Sequence, residues 1–173
     1  GNWCNTKESS PMILAKSCHD LDIIQWLLNE ECTRVHSFGS LTYFRFENMP
    51  SGATEYCYQG CPAEASCPYS ALKIYKQRNF PSFVKTATKK HEPTDEDIER
   101  AITETNYGKC VFRCDNDVVD HQVVNLEYGS GSTVSFTMSA FTQGGRKVRI
   151  MGTKGEINAE MSSDHITLFD FDT

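Results

Sequence analysis

From Val118 onward the chain is a succession of short strand patterns separated by turn residues. Residues 118–128 (VVDHQVVNLEY) and 133–141 (TVSFTMSAF) flank the turn sequence GSGS, which predicts a hairpin. Apolar and small polar side chains alternate in the second pattern, so we expect helices to bury the apolar face of this sheet. The other face, with its small polar side chains, is expected to be available to a partner subunit. The stretches RKVRIMG and EINAEM predict a second hairpin, and HITLFDF predicts a last strand.

The N-terminal part begins with a helical pattern. Ser10 as N-cap and Pro11 at the first helical position predict a helix start. Apolar residues then recur at steps of three and four, which predicts an amphipathic helix over residues 11–29. Residues 33–47 are β-branched and aromatic and predict one strand, bulged at Gly39.

The middle of the chain reads as loops and two short helices. Residues 48–68 and 79–92 are polar and irregular, which predicts loops. A short helix is predicted over residues 69–78. Thr94 and Asp97 form a capping-box pattern that predicts the start of the second short helix.

Helices early and antiparallel strands late, with one strand between them, indicate an α+β fold. We expect an open, mostly antiparallel β-sheet with helices packed on one face, as a single domain over residues 1–173. Strand and helix do not alternate as in a doubly wound sheet. Neither GxGxxG nor GxxxxGK[ST] occurs, so we expect that this chain does not bind a dinucleotide by itself.

Composition argues against several partner classes. The net charge of −6 makes nucleic acid and anionic membrane poor partners, and no apolar run approaches the roughly 20 residues of a membrane span. Eight cysteines in a chain of this length favour a reducing cytoplasm over a secreted disulfide framework. Because the chain begins at Gly1, we expect further sequence before it.

The middle of the first predicted helix carries Lys16, His19, Asp20 and Asp22. Lys16 and His19 stand three residues apart and share a helix face, and Asp22 follows His19 by the same step. Histidine is the side chain best suited to move protons near neutral pH, a lysine can bind a substrate oxygen, and an aspartate can orient the ring. The alternative is an ordinary polar stripe with a half-buried His19.

Cysteines form a second group in and beyond the predicted loop 48–68. Thiolates in this number suit zinc or an iron–sulfur cluster. However, no CxxC pair is present and the three-residue gaps are marginal for zinc, so we expect no metal. Zinc, or a redox disulfide among the first three cysteines, is the alternative. The five cysteines are Cys57, Cys61, Cys67, Cys110 and Cys114.

Residues 114–123 (CDNDVVDHQV) resemble a metal-binding pattern but predict a turn and the start of a strand. In that strand Asp120 and Gln122 share one face and His121 takes the other, so the three side chains should not converge. We expect His121 or Gln122 to line a substrate pocket.

Six stretches, in order and covering most of residues 3–173, resemble the C-terminal domain of the glucose–fructose oxidoreductase / inositol dehydrogenase / MocA (Gfo/Idh/MocA) family. They are PMILAKSCHDLDIIQWLL, FGSLTYF, NMPSGATEYC, CPYSALKIY, GKCVFRCDNDVVDHQVVNLEY and GGRKVRIMGTKGEI. The resemblance implies an N-terminal Rossmann domain that holds NAD or NADP, with the helical side of the present domain facing cofactor and substrate. It also implies subunit contacts through the open sheet face, and hence a homo-oligomer.

The implied reaction is hydride transfer between a nicotinamide and a hydroxyl-bearing carbon of a sugar, cyclitol or related polyol. By the resemblance, His19 moves the hydroxyl proton or orients the substrate. Ala15 stands where many members have Asp, so we expect Lys16 to substitute, and the family's Glu-Lys-Pro motif is absent. The chain is therefore expected to be an inactive C-terminal fragment of a two-domain enzyme.

The predicted site thus has a catalytic pair and a substrate-binding group. Two non-enzymatic alternatives stay open, a zinc-binding module and a dimeric α+β scaffold. The catalytic residues are His19 and Lys16, and the substrate-binding residues are Asp20, Asp22, His121 and Gln122.

Overall fold

Alternating side chains place the first sheet against the first helix. In the computed structural model, which describes residues 4–172, strands β1 (Cys32–Ser40), β2 (His121–Tyr128) and β3 (Thr133–Ser139) form an antiparallel sheet in the order β1-β2-β3. Helix α1 (Met12–Leu28) packs on one face of this sheet. Three buried side chains of that face come from β2 and form a cluster with side chains of α1. Those of β2 are Val124, Leu126 and Tyr128, and those of α1 are Ile13, Leu21, Ile24 and Leu28.

The alternation predicted for β3 is confirmed. Met138 is buried and Val134 and Phe136 are partly buried, whereas Ser135 and Thr137 are exposed. Since side chains alternate across a strand, β3 and β2 both turn their apolar residues toward α1. The opposite face of the sheet is exposed and carries polar side chains together with Phe38 and Val123.

Helix α1 starts without the predicted cap. Its N-cap is Pro11, with no side-chain hydrogen bond, and Ser10 has a φ of 65°, so the prediction of Ser10 as N-cap is wrong. At the other end Asn29 adopts the left-handed conformation and its N–H donates to the Gln25 carbonyl. Packing on the sheet, rather than the N-cap, therefore holds this helix.

Strand β1 is shorter than predicted. It ends at Ser40, because the carboxylate of Asp120 collects backbone N–H groups of the following turn. The irregularity in its pairing lies between Cys32 and Arg34, so a bulge at Gly39 was wrong. Gly39 instead lies where the Gln122 side chain approaches the backbone closely.

A small helical subcluster forms the second core of the first unit. It contains a π-helical turn (Leu72–Lys76), α2 (Pro81–Thr88) and α3 (Asp95–Glu104) around Val84, Ile98 and Ile102. Helix α2 lies in a stretch predicted to be loop; its signals are Pro81 at the first turn and the buried pair Val84 and Ala87 at helical spacing.

The capping box that opens α3 is confirmed. The Asp97 N–H donates to the Thr94 hydroxyl and the Thr94 N–H donates to the Asp97 carboxylate. The hydrogen bond from Lys90, followed by those from the Thr94 backbone and hydroxyl, holds the pKa of Asp97 well below its usual range. Helix α3 is thus fixed at its first turn.

The structure divides into two compact units, Gly1–Ala140 and Phe141–Thr173. The second unit is an antiparallel sheet of β4 (Lys147–Met151), β5 (Gly155–Glu160) and β6 (Ile166–Asp170), which confirms the second hairpin and the last strand. The α+β class is confirmed, with the strands shared between two three-stranded sheets. Within residues 4–172 the structure has no helix with the length and hydropathy of a membrane span.

Candidate functional site

The outer face of α1 carries the predicted catalytic pair. Ser17 is buried against the sheet, whereas Lys16 and His19 are both exposed. With 3.6 residues per turn, His19 lies on the side of α1 that is turned away from the sheet, and Lys16 lies on the flank next to it. The imidazole is therefore accessible, and the catalytic role predicted for His19 and Lys16 stays a prediction.

The two carboxylates of the helix occupy different positions. Asp22 is exposed and lies on the same outward side as His19, one turn further along. Asp20 is half-buried on the side nearer the sheet. Their predicted role in binding substrate stays a prediction.

A large apolar side chain is exposed on the same side of α1 as His19. Trp26, two turns after His19, is 77% exposed, and Leu14 and Leu27 are exposed on the flanks of the helix. A helix normally turns such residues inward, and an exposed apolar patch marks a surface that another body covers. The outward side of α1 thus carries His19 together with an exposed apolar side chain of the kind that another body covers.

A second histidine is held by a buried carboxylate at the start of β2. The Nδ1 atom of His121 lies 2.8 Å from Oδ1 of Asp120, which is only 3% exposed. Asp120 also accepts the backbone N–H groups of Thr42, Tyr43 and, at 3.4 Å, Phe44. The prediction that Asp120 and His121 do not converge is wrong, because Asp120 precedes the strand and is not bound by its alternation.

Electrostatics keeps this aspartate ionised. Burial by itself would raise the pKa of Asp120, but hydrogen bonds from Tyr43, His121, Thr42 and Phe44 outweigh it and lower the pKa. An ionised carboxylate can only accept, so the proton between the two side chains is assigned to Nδ1 of His121. Sequence reasoning missed this pair; its signal was an Asp-His dipeptide just before an alternating strand.

The structure does not bring His121 and Gln122 to the predicted pocket together. His121 lies on the sheet face opposite α1, because Val124, at odd spacing from it, faces the helix. Gln122 lies on the helix side, but its amide donates to the Ser37 hydroxyl at 2.8 Å and its carbonyl oxygen is buried without a partner among the described residues. Sheet pairing therefore separates both residues from His19.

The predicted cysteine group is partly assembled. Four of its five members line one cavity of about 20 Å³, while Cys114 lies outside it, with its thiol 3.4 Å from the Cys110 carbonyl oxygen. All eight cysteines of the chain are free thiols. Across residues 4–172 there is no group of three or more histidine, cysteine, aspartate or glutamate side chains arranged to hold a single metal ion. The four that line the cavity are Cys57, Cys61, Cys67 and Cys110.

Comparison with known proteins points to one family. The family model described as "Oxidoreductase family, C-terminal alpha/beta domain" matches residues 1–169. The putative oxidoreductase YteT of Bacillus subtilis (strain 168) is 25% identical over 164 residues, which cover 91% of this chain. The chain spans 36% of the length of that relative. No solved structure matches the chain.

Proposed function

The chain belongs to the Gfo/Idh/MocA oxidoreductase family as its C-terminal α/β domain, and on that premise we propose that it is the substrate-binding and oligomerisation domain of an NAD(P)-dependent dehydrogenase. The substrate class is a sugar, cyclitol or related polyol, oxidised at a hydroxyl-bearing carbon. The observation that supports this best is the exposed position of His19 on the outward side of α1, next to Lys16 and Trp26.

The chemistry assigns a task to each polar residue of this surface. Hydride loss from a carbinol requires that the hydroxyl proton leave as well, and a positioned imidazole accepts it near neutral pH. The Lys16 ammonium holds the substrate oxygen and favours its developing negative charge. Asp22, one turn after His19 on the same side, binds a further substrate hydroxyl, and Asp20 supports the pair from the sheet side.

The nicotinamide cofactor, when bound, accepts the hydride. The sequence contains no glycine-rich phosphate-binding loop, so the residues present do not fit the pyrophosphate of a dinucleotide. The outward side of α1 fits the reacting end, where an imidazole and an ammonium are needed. We assign cofactor binding to an N-terminal Rossmann domain of the whole protein, which would cover the exposed Trp26 and Leu27.

The experiment uses full-length protein, a panel of sugars and cyclitols, and both NAD and NADP, with nicotinamide reduction followed by absorbance. We expect His19→Ala to lower turnover by roughly 10²–10⁴-fold, the usual worth of general acid–base help. Cys18→Ala is the matched control, because Cys18 is the exposed neighbour on the same helix. It should retain wild-type turnover.

Three results would count against the proposal. Near-normal turnover of His19→Ala would remove His19 from the mechanism. Equal losses in His19→Ala and Cys18→Ala would indicate a structural effect on α1. No turnover by wild-type protein with any member of the panel would favour the dimeric scaffold instead.

Oligomerisation is assigned to the apolar face of the second sheet, with a second copy of the chain as occupant. Ile150 lies opposite Ile157, which lies opposite Leu168, so the three share one face. Ile166 and Leu168 are 73% and 66% exposed. Family resemblance assigns subunit contacts to a sheet face, and this one has exposed aliphatic side chains to bury.

A cytoplasmic location is also proposed. The support for it is that all eight cysteines are free thiols, as expected in a reducing compartment.

A further inference from the structure

Four cysteines from separate parts of the sequence line one hollow in the first unit. Cys57, Cys61 and Cys67 come from the segment between β1 and the π-helical turn, and Cys110 follows α3. The hollow has a volume of about 20 Å³. The rest of its lining is mainly apolar and aromatic, with Phe112 among the buried residues.

Backbone hydrogen bonds build the hollow without any disulfide. Tyr56 and Lys109 form an isolated antiparallel bridge, and the Cys110 N–H donates to the Glu55 carbonyl at 2.8 Å. This bridge places Cys57 and Cys110 on neighbouring chain segments. One 3-10 turn then follows Cys57, and Gly60, with a φ of 75°, ends it directly before Cys61.

The third loop cysteine is fixed in the same way. The Cys67 N–H donates to the Ala63 carbonyl at 2.9 Å. The Lys73 ammonium donates to the Ala65 carbonyl at 2.7 Å and to the Cys67 carbonyl at 3.3 Å. All three loop cysteines are therefore held on ordered backbone around the hollow.

The arrangement does not suit a single metal ion. Four thiolates on one zinc stand about 3.8 Å apart, given Zn–S bonds of about 2.3 Å in a tetrahedron. The residues the structure describes contain no such group. In a [4Fe–4S] cluster each thiolate binds a different iron, so the ligands stand apart around a central body, and a hollow between them is the expected feature.

Water does not account for the hollow either. A buried water makes two to four hydrogen bonds to polar groups, whereas thiols are weak partners and the remaining lining is mostly apolar. The occupant should therefore bind sulfur strongly.

Two polar groups at the hollow suit a sulfur-rich occupant. Ser70 lines it and is only 2% exposed, and its hydroxyl oxygen is buried without a hydrogen-bond partner within residues 4–172. The N–H of Ala71 donates to the Cys57 sulfur at 3.5 Å. Hydrogen bonds to sulfur are one of the means by which proteins tune iron–sulfur clusters.

We propose that Cys57, Cys61, Cys67 and Cys110 ligate a [4Fe–4S] cluster, with the Ser70 hydroxyl donating to a cluster sulfide. The cluster is taken up preassembled. Uptake is a ligand exchange: four S–H bonds and the four bonds from cluster iron to the donor's thiolates break, four Fe–Sγ bonds form, and the four protons pass to the departing thiolates, with no change in the oxidation state of iron or protein.

The test starts from full-length protein purified without oxygen and loaded by ligand exchange with a preassembled [4Fe–4S] thiolate complex. We expect about four iron and four acid-labile sulfide per chain, sulfur-to-iron charge-transfer absorption in the visible range, and an electron paramagnetic resonance signal after reduction with dithionite. Cys67→Ser and Cys110→Ser should each bind less than a quarter of the wild-type iron. Cys18→Ser, an exposed cysteine on α1, should bind as much as wild type.

Folding is checked by circular dichroism, so that loss of iron is not confused with loss of structure. Ser70→Ala keeps the ligands and should bind iron normally, but its cluster should have a more negative reduction potential because a hydrogen bond to sulfide is lost. An unchanged potential in this variant would remove Ser70 from the site.

Other occupants give different results. About one zinc per chain without labile sulfide would overturn the cluster in favour of a mononuclear site. A disulfide among the four cysteines in the anaerobically purified protein, seen by mass after thiol alkylation, would overturn it as well. Equal iron loss in Cys18→Ser and in the cavity variants would show that the bound iron is not held by these four residues.

Discussion

The Nδ1 atom of His121 lies 2.8 Å from Oδ1 of Asp120, a carboxylate that is 3% exposed. The same carboxylate accepts N–H groups from the turn that follows β1, so one side chain joins the end of β1 to the start of β2. An aspartate beside a histidine resembles a catalytic dyad, but His121 lies on the sheet face opposite α1. The role that the structure shows for Asp120 is therefore structural, namely to hold the end of β1 to the start of β2.

Replacing Asp120 by Asn should destabilise the protein by about 2–3 kcal/mol at neutral pH, because an amide cannot accept all the N–H groups that the carboxylate accepts. Denaturant unfolding measures the change. Asp115→Asn is the control, since Asp115 is exposed and accepts a 2.9 Å hydrogen bond from Asn5. Its effect should be within about 0.5 kcal/mol.

The effect of Asp120 should depend on pH. The pKa of Asp120 is lowered in the folded protein relative to its ordinary value of 3.8. Its contribution is therefore complete above about pH 4 and is lost as the pH falls through the folded-state pKa. The stability gap between wild type and Asp120→Asn should narrow below pH 4, and a gap that is constant down to pH 2 would contradict this account.

Local pattern was sufficient for much of the fold. The alternation of Val134, Phe136 and Met138 predicted which face of β3 is buried, and the Thr94–Asp97 capping box predicted where α3 begins. Both signals act over a few residues, so they can be read from a single sequence. Helix α2 was missed because only two of its eight residues, Val84 and Ala87, are buried. Two apolar positions at helical spacing are too few to predict a helix.

Long-range contacts explain what the sequence did not show. Residues 41–47 have strand-forming side chains, but Asp120, about 80 positions away, takes the N–H groups that a strand would need. The convergence of Cys110 on Cys57 likewise depends on the bridge between Tyr56 and Lys109. The spacing of residues along the chain does not show which distant segments pair. Neither the end of β1 nor the approach of Cys110 to Cys57 could therefore be predicted from the sequence pattern alone.

Gly108 should not tolerate a side chain. A Cβ there would collide with the carbonyl oxygen of Ile102, whose side chain is 0% exposed in the helical core. We expect Gly108→Ala to lower the free energy of unfolding by about 1–3 kcal/mol through overpacking. Gly129→Ala is the control, because nothing lies within 4 Å of the position of its Cβ. Equal urea midpoints for the two variants would refute the close approach.

Lys16→Met should separate substrate binding from cofactor binding in the full-length enzyme. The variant keeps the length of the side chain and removes the charge that is assigned to the substrate oxygen. We expect KM for the substrate to rise roughly 10- to 100-fold, the worth of a hydrogen bond to a charged group, while the Kd of the nicotinamide cofactor stays unchanged by fluorescence titration. Equal weakening of both would show that Lys16 supports the fold. Lys7→Met, at another exposed lysine, controls for net charge.

A charge on the apolar face of the second sheet should dissociate the oligomer. Leu168 is 66% exposed and shares its face with Ile150 and Ile157. In a dimer through this face Leu168→Glu would bury an unpaired carboxylate. The free-energy cost of burying that charge exceeds the stabilisation that the dimer gains from its apolar contacts around Leu168. Thr167→Glu adds the same charge one residue away on the opposite face of β6, so it should leave the oligomer intact. Sedimentation of the full-length protein at micromolar concentration measures the outcome. Monomeric wild type, or equal dissociation in both variants, would rule out this face as the subunit contact.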